Sequence, residues 1–206
     1  MSISQVLFLP FLGEHTLHPH NRVEEALMNR PEWQKGLYFG RPRSGHPEGM
    51  VLYHVQEVLY NISLIDPFIN DETHDKLRFI ALIHDNFKYE ALYRTGQTIP
   101  PQRHHAYLAR QFAARFTDDI QLLNIIEWHD NAYHIWRKGK QSSDWQTAER
   151  ELHALAEALG EALQLFYLFF KCDTRTGDKI QQPLQWFESC LRHRIHFVPL
   201  KEHWTI

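Results

Sequence analysis

Three observations in the sequence predict an all-α fold, a helical bundle with an irregular N-terminal segment. Apolar residues recur three and four positions apart in successive segments between about residues 48 and 193, the spacing at which side chains share one helix face. Proline and glycine crowd into the first 49 residues, while Asp66-Pro67, Gly96 and Pro100-Pro101 punctuate the periodic region. At 206 residues, with 43% hydrophobic and 23% charged content, the chain has a globular composition and can bury a substantial core.

The elements follow in order. Residues 21–29 read as a short helix with Asn21 as its N-cap and Pro31 just beyond its end. The rest of residues 1–49 reads as extended wrapping chain, in which the loop over 40–49 carries Arg41, Arg43 and His46, a basic patch able to lean over an anionic ligand. A helix over 48–63 buries Val51, Val55, Val58, Leu59 and Ile62, and His54 lies on that face. After the Asp66-Pro67 turn, a helix over 73–85, capped at Asp71 or Thr73, aligns Leu77, Ile80, Ala81 and His84. A loop over 89–103 leads to a helix over 104–116 with Leu108, Ala109, Phe112, Ala113 and Phe116 inward. Periodicity places His105 rather than His104 on its inner face. From Asp118 or Asp119 to His129 the pattern repeats with Leu122, Ile125, Ile126 and then His129. Residues 131–143 turn from aromatic to basic and polar and read as a flexible surface connection. A long helix over 144–172, kinked near Gly160, buries Ala162, Leu165, Phe166, Phe169 and Phe170 and delivers Asp173 at its end. A last helix spans 183–193 before a short tail.

Composition removes several classes of function. A net charge of -3 argues against coating nucleic acid through bulk electrostatics. The two cysteines, Cys172 and Cys190, form no Cys-x-x-Cys or zinc spacing, so a reducing cytoplasm without a disulfide framework is expected. The apolar patch over residues 6–12 lacks a basic n-region and is broken by Pro10, which speaks against a signal peptide. No apolar run approaches the ~20 residues that a membrane span needs.

Five predicted helices each bring a histidine or an aspartate from the core-facing side: His54, His84 with Asp85, His105, His129 and Asp173. Burying one unpaired imidazole or carboxylate costs several kcal/mol, and a shared cation offsets that cost for all of them. Nitrogen and oxygen donors without thiolates suit Mn, Fe, Co, Ni or Zn, and six residues suffice for one ion or for two bridged by Asp85. Lys88, one turn beyond, is a candidate phosphate contact, with Arg103 and Arg175 ranked behind it. Asp130 and His134 lie close enough to His129 to hold its ring, and Trp128, Tyr133 and Trp136 read as core before they read as a stacking surface for a base.

In the order H…HD…D, these residues resemble the metal-binding signature of the HD-domain phosphohydrolase superfamily. The local stretches H-P-E-G-M-V-L-Y-H at 46–54, R-F-I-A-L-I-H-D-N-F-K at 78–88, R-H-H-A at 103–106 and K-C-D-T-R-T-G-D at 171–178 are similar to the HD region of bacterial CCA-adding tRNA nucleotidyltransferases, without the nucleotidyltransferase head. The resemblance implies an HD domain over 46–180, a wrapping segment over 1–45 and a C-terminal helix and tail over 181–206 packed on the same domain. It implies His54, His84, Asp85 and Asp173 as core metal ligands, with His105 and His129 matching the extra histidines of two-metal members. The implied activity is hydrolysis of a nucleotide or another small phosphate ester, with Asp85 orienting the attacking water; from their places beside the expected ligands, Lys88 is added as a candidate catalytic residue and Lys88, Arg103 and Arg175 as candidate substrate contacts. No membrane partner is implied, and a homo-oligomer is allowed. A di-iron oxygenase and a non-catalytic nucleotide-binding regulatory module are the alternatives within the same fold. Asn86 and Phe87 depart from the small apolar pair of many relatives, and the absent Gly-Tyr-Pro signature disfavours cyclic-di-GMP hydrolysis.

Overall fold

Described in the computed structural model are residues 17–91 and 101–200, which form α-helices, short 3-10 turns and loops, with no strand among them. The helices are α1 (Arg22–Met28), α2 (Pro31–Leu37), α3 (Val51–Ile65), α4 (Asp71–Ile83), α5 (His105–Ala113), α6 (Ile120–Trp128), α7 (Asn131–Ser142), α8 (Trp145–Leu159), α9 (Leu163–Thr174) and α10 (Gln182–Leu191). The apolar patch over residues 6–12, Gly96 and Pro100 of the long loop, and the end of the tail lie outside the described residues.

At the centre α3, α4 and α9 pack on one another. Val55, Val58, Ile62, Leu77, Ile80 and Phe166 meet there, fully buried, which is what their helical spacing requires. The α5–α6 pair docks on α4 through α6, while α7 and α8 pair with each other and with α10. No described helix is long and apolar enough to cross a membrane.

Capping fixes where the helices begin. Asn21 accepts from the Val23 and Glu24 amides at the start of α1, and Asp119 accepts from Leu122 N at the start of α6. The cap of α4 is Asn70, whose side-chain oxygen accepts from Thr73 N at 2.8 Å, so Asp71 and Thr73 lie inside the helix rather than capping it.

Three expectations are corrected. Residues 131–143 are not a surface connection: Ala132, Trp136 and Gly139 form a buried stripe at i, i+4 and i+7, and α7 presses so closely on α8 that a Cβ at Gly139 would sit 2.8 Å from Ala148 Cβ. A charged outer face hid that narrow stripe. Residues 31–37 are helical, because Pro31 is the first residue of α2 as well as the stop after α1. Buried Trp33 then donates its indole N–H to Leu82 O at 2.7 Å and fastens α2 to α4. The predicted 144–172 helix is two helices, since Gly160 has a φ of 53° and a 3-10 turn over Gly160–Ala162 re-aims the chain.

Candidate metal centre

Helix ends build the centre. His84 follows the last residue of α4 and His129 the last residue of α6, positions where backbone carbonyls have no partner within the helix. His84 Nδ1 meets Ala81 O at 3.0 Å and His129 Nδ1 meets Ile126 O at 2.8 Å. A carbonyl only accepts, so each Nδ1 carries the proton and donates. Wherever the ring is neutral, its Nε2 is then the lone pair, and that atom faces inward. His54, on the buried face of α3, is held similarly: its Nδ1 lies 3.4 Å from both Glu48 Oε1 and Thr176 Oγ1. His105 opens α5, with Nε2 inward, while His104 caps that helix through its Nδ1.

Two donor groups meet at Asp85. On one side its Oδ2 lies 3.6 Å from both His54 Nε2 and His84 Nε2, and Asp173 Oδ1 is 2.9 Å from His54 Nε2 and 3.8 Å from His84 Nε2. On the other side its Oδ1 lies 3.4 Å from His105 Nε2 and 3.6 Å from His129 Nε2, which are themselves 3.5 Å apart. One carboxylate thus offers an oxygen to each group. The four histidines and Asp85 are buried, and Asp173 is 16% exposed.

The charges around this pair are arranged to keep it anionic. Burial works against the Asp85 carboxylate, but Lys88, His84 and the hydrogen-bonding histidines hold its carboxyl well below the usual range. Lys88 donates to Asp85 Oδ2, and although burial opposes its charge, Asp85 and Asp130 raise its pKa above the ordinary lysine value. Asp173 is opposed by burial and lowered chiefly by Lys179, whose Nζ donates to its Oδ1 at 2.9 Å. Burial pushes His84 down to about 3, whereas Asp130 and Asp85 overcome burial and push His129 up to about 9.

No family model, no curated protein and no solved structure matches this chain. What it can bind therefore follows from its own donors. His54 Nε2 and His84 Nε2 face each other at 3.2 Å, and with the His84 ring kept neutral either a proton on His54 Nε2 or a bound cation can stand between them. A proton can do so for one pair at a time. Two clusters of converging nitrogen and carboxylate oxygen atoms, {His54, His84, Asp173} and {Asp85, His105, His129}, are each able to hold a cation, and an all-N/O set suits borderline and hard divalent metals.

All six sequence-predicted ligands converge here, and Lys88 joins them. Arg103 and Arg175 do not: Arg103 is exposed at the end of a 3-10 turn, and Arg175 Nη2 donates to Leu200 O at 3.4 Å. Lys179 provides the second cation instead. Asp130 does not hold the His129 ring from behind. Its Oδ2 approaches the ligand nitrogens of His105 and His129, at 3.4 Å each, while His134 is exposed. Lys179 escaped sequence reasoning because it sits in a loop, where no helical period marks which way a side chain points, and Glu48 because the helix expected from residue 48 begins only at Val51 and leaves it in the turn before. Above the centre is a cavity of about 350 Å³, lined among others by Ser44, His46, Lys88, Tyr133, Lys179 and Ile180. Tyr133 belongs to this lining rather than to the core, whereas Trp136 is buried. The loop carrying His46 closes one side, tied down where Gly45 N donates to Asp178 Oδ1 at 2.7 Å. Arg43 stays exposed.

Proposed function

We propose that this chain is an HD-type, metal-dependent phosphohydrolase acting on a small phosphate ester, with a nucleotide as the leading substrate class. The observation that carries the reading is Asp85 turning one oxygen toward His54 and His84 and the other toward His105 and His129, with Lys88 on Asp85 and Lys179 on Asp173 at the cavity. His54, His84 and Asp173 would hold one divalent ion and His105 and His129 a second, with Asp85 shared. Bound there, such ions supply Lewis acidity toward water and toward the phosphoryl oxygens.

The side chains have distinct tasks. Lys88 and Lys179 present ammonium groups to the cavity and stabilise charge that grows on the phosphoryl oxygens in the transition state. Asp85 accepts hydrogen bonds from Lys88 and orients the attacking water. Tyr133 and Ile180, both partly exposed in the cavity wall, offer apolar surface to the remainder of the substrate. A planar base stacks on such a wall, and a cavity of about 350 Å³ lies within the range of small-molecule sites.

The test is hydrolysis of p-nitrophenyl phosphate, its bis ester and a nucleotide panel by protein loaded with Mn, Co, Fe, Ni or Zn in turn. Turnover of at least one ester by wild type and none by Asp85→Ala is expected. No turnover of any ester with any of these metals contradicts the reading.

A further inference from the structure

We propose a second, peripheral metal site at the outer end of α4, formed by His20, His74 and Asp75, that takes a first-row divalent ion such as Zn(II). It lies at the opposite end of α4 from Asp85, about 15 Å away along the helix axis, and does not depend on the phosphohydrolase reading.

The three donors come from two segments held together independently. Glu24 of α1 is buried, and Arg78 of α4 donates to both of its oxygens at 2.9 and 2.8 Å. His20 N also donates to Glu24 Oε2 at 2.7 Å, and Arg78 Nη2 donates to His18 O. The backbone at His20 is thus pinned against α4 by groups that are not themselves donors to the site. Its ring stands edge-on to His74, centroids 5.3 Å apart.

His20 Nδ1 lies 3.9 Å and His74 Nδ1 3.7 Å from Asp75 Oδ1, so two nitrogens and one oxygen surround a common point. On its far side, His74 Nε2 faces Asp66 Oδ1 at 3.5 Å. A carboxylate there favours the tautomer with the proton on Nε2, in which Nδ1 is the donor atom beside Asp75 and His20. Outer carboxylates commonly set ligating histidines in this way. Two imidazoles and one carboxylate, with the remaining positions open to solvent, suit Zn(II), Co(II) or Ni(II). An ion bound there joins the chain entering α1 to the first turn of α4.

Zinc titration of the full chain, read by equilibrium dialysis and by thermal unfolding, tests this. Wild type should hold one more zinc per chain than His20→Ala or His74→Ala, and Asp66→Asn should weaken that zinc about 10–100-fold. Zinc should raise the unfolding midpoint through this site in wild type and in Asp85→Ala, but not in Asp85→Ala combined with His20→Ala. His20→Ala keeps the backbone bond to Glu24, so the variant folds. A control, His153→Ala, removes a half-buried histidine elsewhere and should leave the zinc count unchanged. Equal zinc counts and equal midpoint shifts in wild type, His20→Ala and His74→Ala overturn the proposal. A central centre that binds no metal leaves it standing, because the lost zinc is counted against the peripheral variants alone.

Discussion

Lys88 touches Asp85 but lies outside both histidine groups, so its charge can be removed without removing a donor atom. Lys88→Gln should therefore keep the metal content of wild type and lower kcat about 10²–10³-fold, the usual loss for one group that stabilises transition-state charge. Steady-state kinetics on metal-quantified protein checks both halves. Tyr133→Ala should leave p-nitrophenyl phosphate turnover near wild type while raising KM for a nucleoside monophosphate roughly 10-fold, since stacking one base contributes about 1–3 kcal/mol. At this scale the sequence was most legible where burial and polarity conflict. His54, His84, His105 and His129 each continue an apolar stripe, and a polar side chain in a buried row announces itself. Glu48 shows the opposite case: its side chain is buried and holds His54, yet it lies in the turn before α3 and not in the helix expected from residue 48, so periodicity gives it no direction. Arg103 and Arg175 misled because adjacency to a ligand in sequence does not give direction. Successive residues on a helix diverge by about 100°, and Arg175 leaves the last turn of α9 toward Leu200 rather than toward the centre.

Helices α4 and α6 deliver the centre from their C-terminal ends, so whatever fixes those helices fixes the ligands. Asp119 caps α6 and pairs with Lys76. Burial opposes its charge, but the Leu122 amide and Lys76 outweigh it and hold its pKa below the ordinary carboxylate value. A folded-state pKa below the unfolded value gives stability that is present above about pH 4 and is lost as pH falls through the folded pKa. Asp119→Ala should then cost about 1 kcal/mol near neutral pH, and the deficit should shrink in acid, as read from urea unfolding of both proteins at pH 7 and pH 3. Gly36 of α2 is a second control point, because a Cβ there would stand 1.9 Å from Asn86 O, the residue next to Asp85. Gly36→Ala should destabilise by about 1–3 kcal/mol and weaken metal binding by displacing that turn. Asn86, unusual beside the motif, has its explanation here: its Nδ2 donates to Trp33 O at 2.7 Å and sews α2 to the turn that carries His84 and Asp85. Helix α2 was not legible beforehand, since seven residues with a proline at the start and a glycine near the end look like punctuation. Helix α7 was hidden by its composition, because its buried stripe of Ala132, Trp136 and Gly139 has one large apolar residue and the outer face is basic and polar.

Across the whole molecule, five segments far apart in sequence meet only in the folded state, so metal binding at this centre would be coupled to folding. An ion at 100 times its Kd adds about 2.7 kcal/mol to the native state, so a chelator should lower the unfolding midpoint and metal should restore it. That shift should be nearly absent in Asp85→Ala made in the His20→Ala background, as calorimetry can show. The measurement closest to the central claim is metal counted per chain by elemental analysis of protein purified without chelator or affinity-tag nickel, again in the His20→Ala background. Near two ions per chain, falling toward one in His129→Ala and toward none in Asp85→Ala, is the predicted result. A count that stays at zero after Mn, Co or Fe is added back, or one that neither substitution changes, would contradict a centre shared across Asp85.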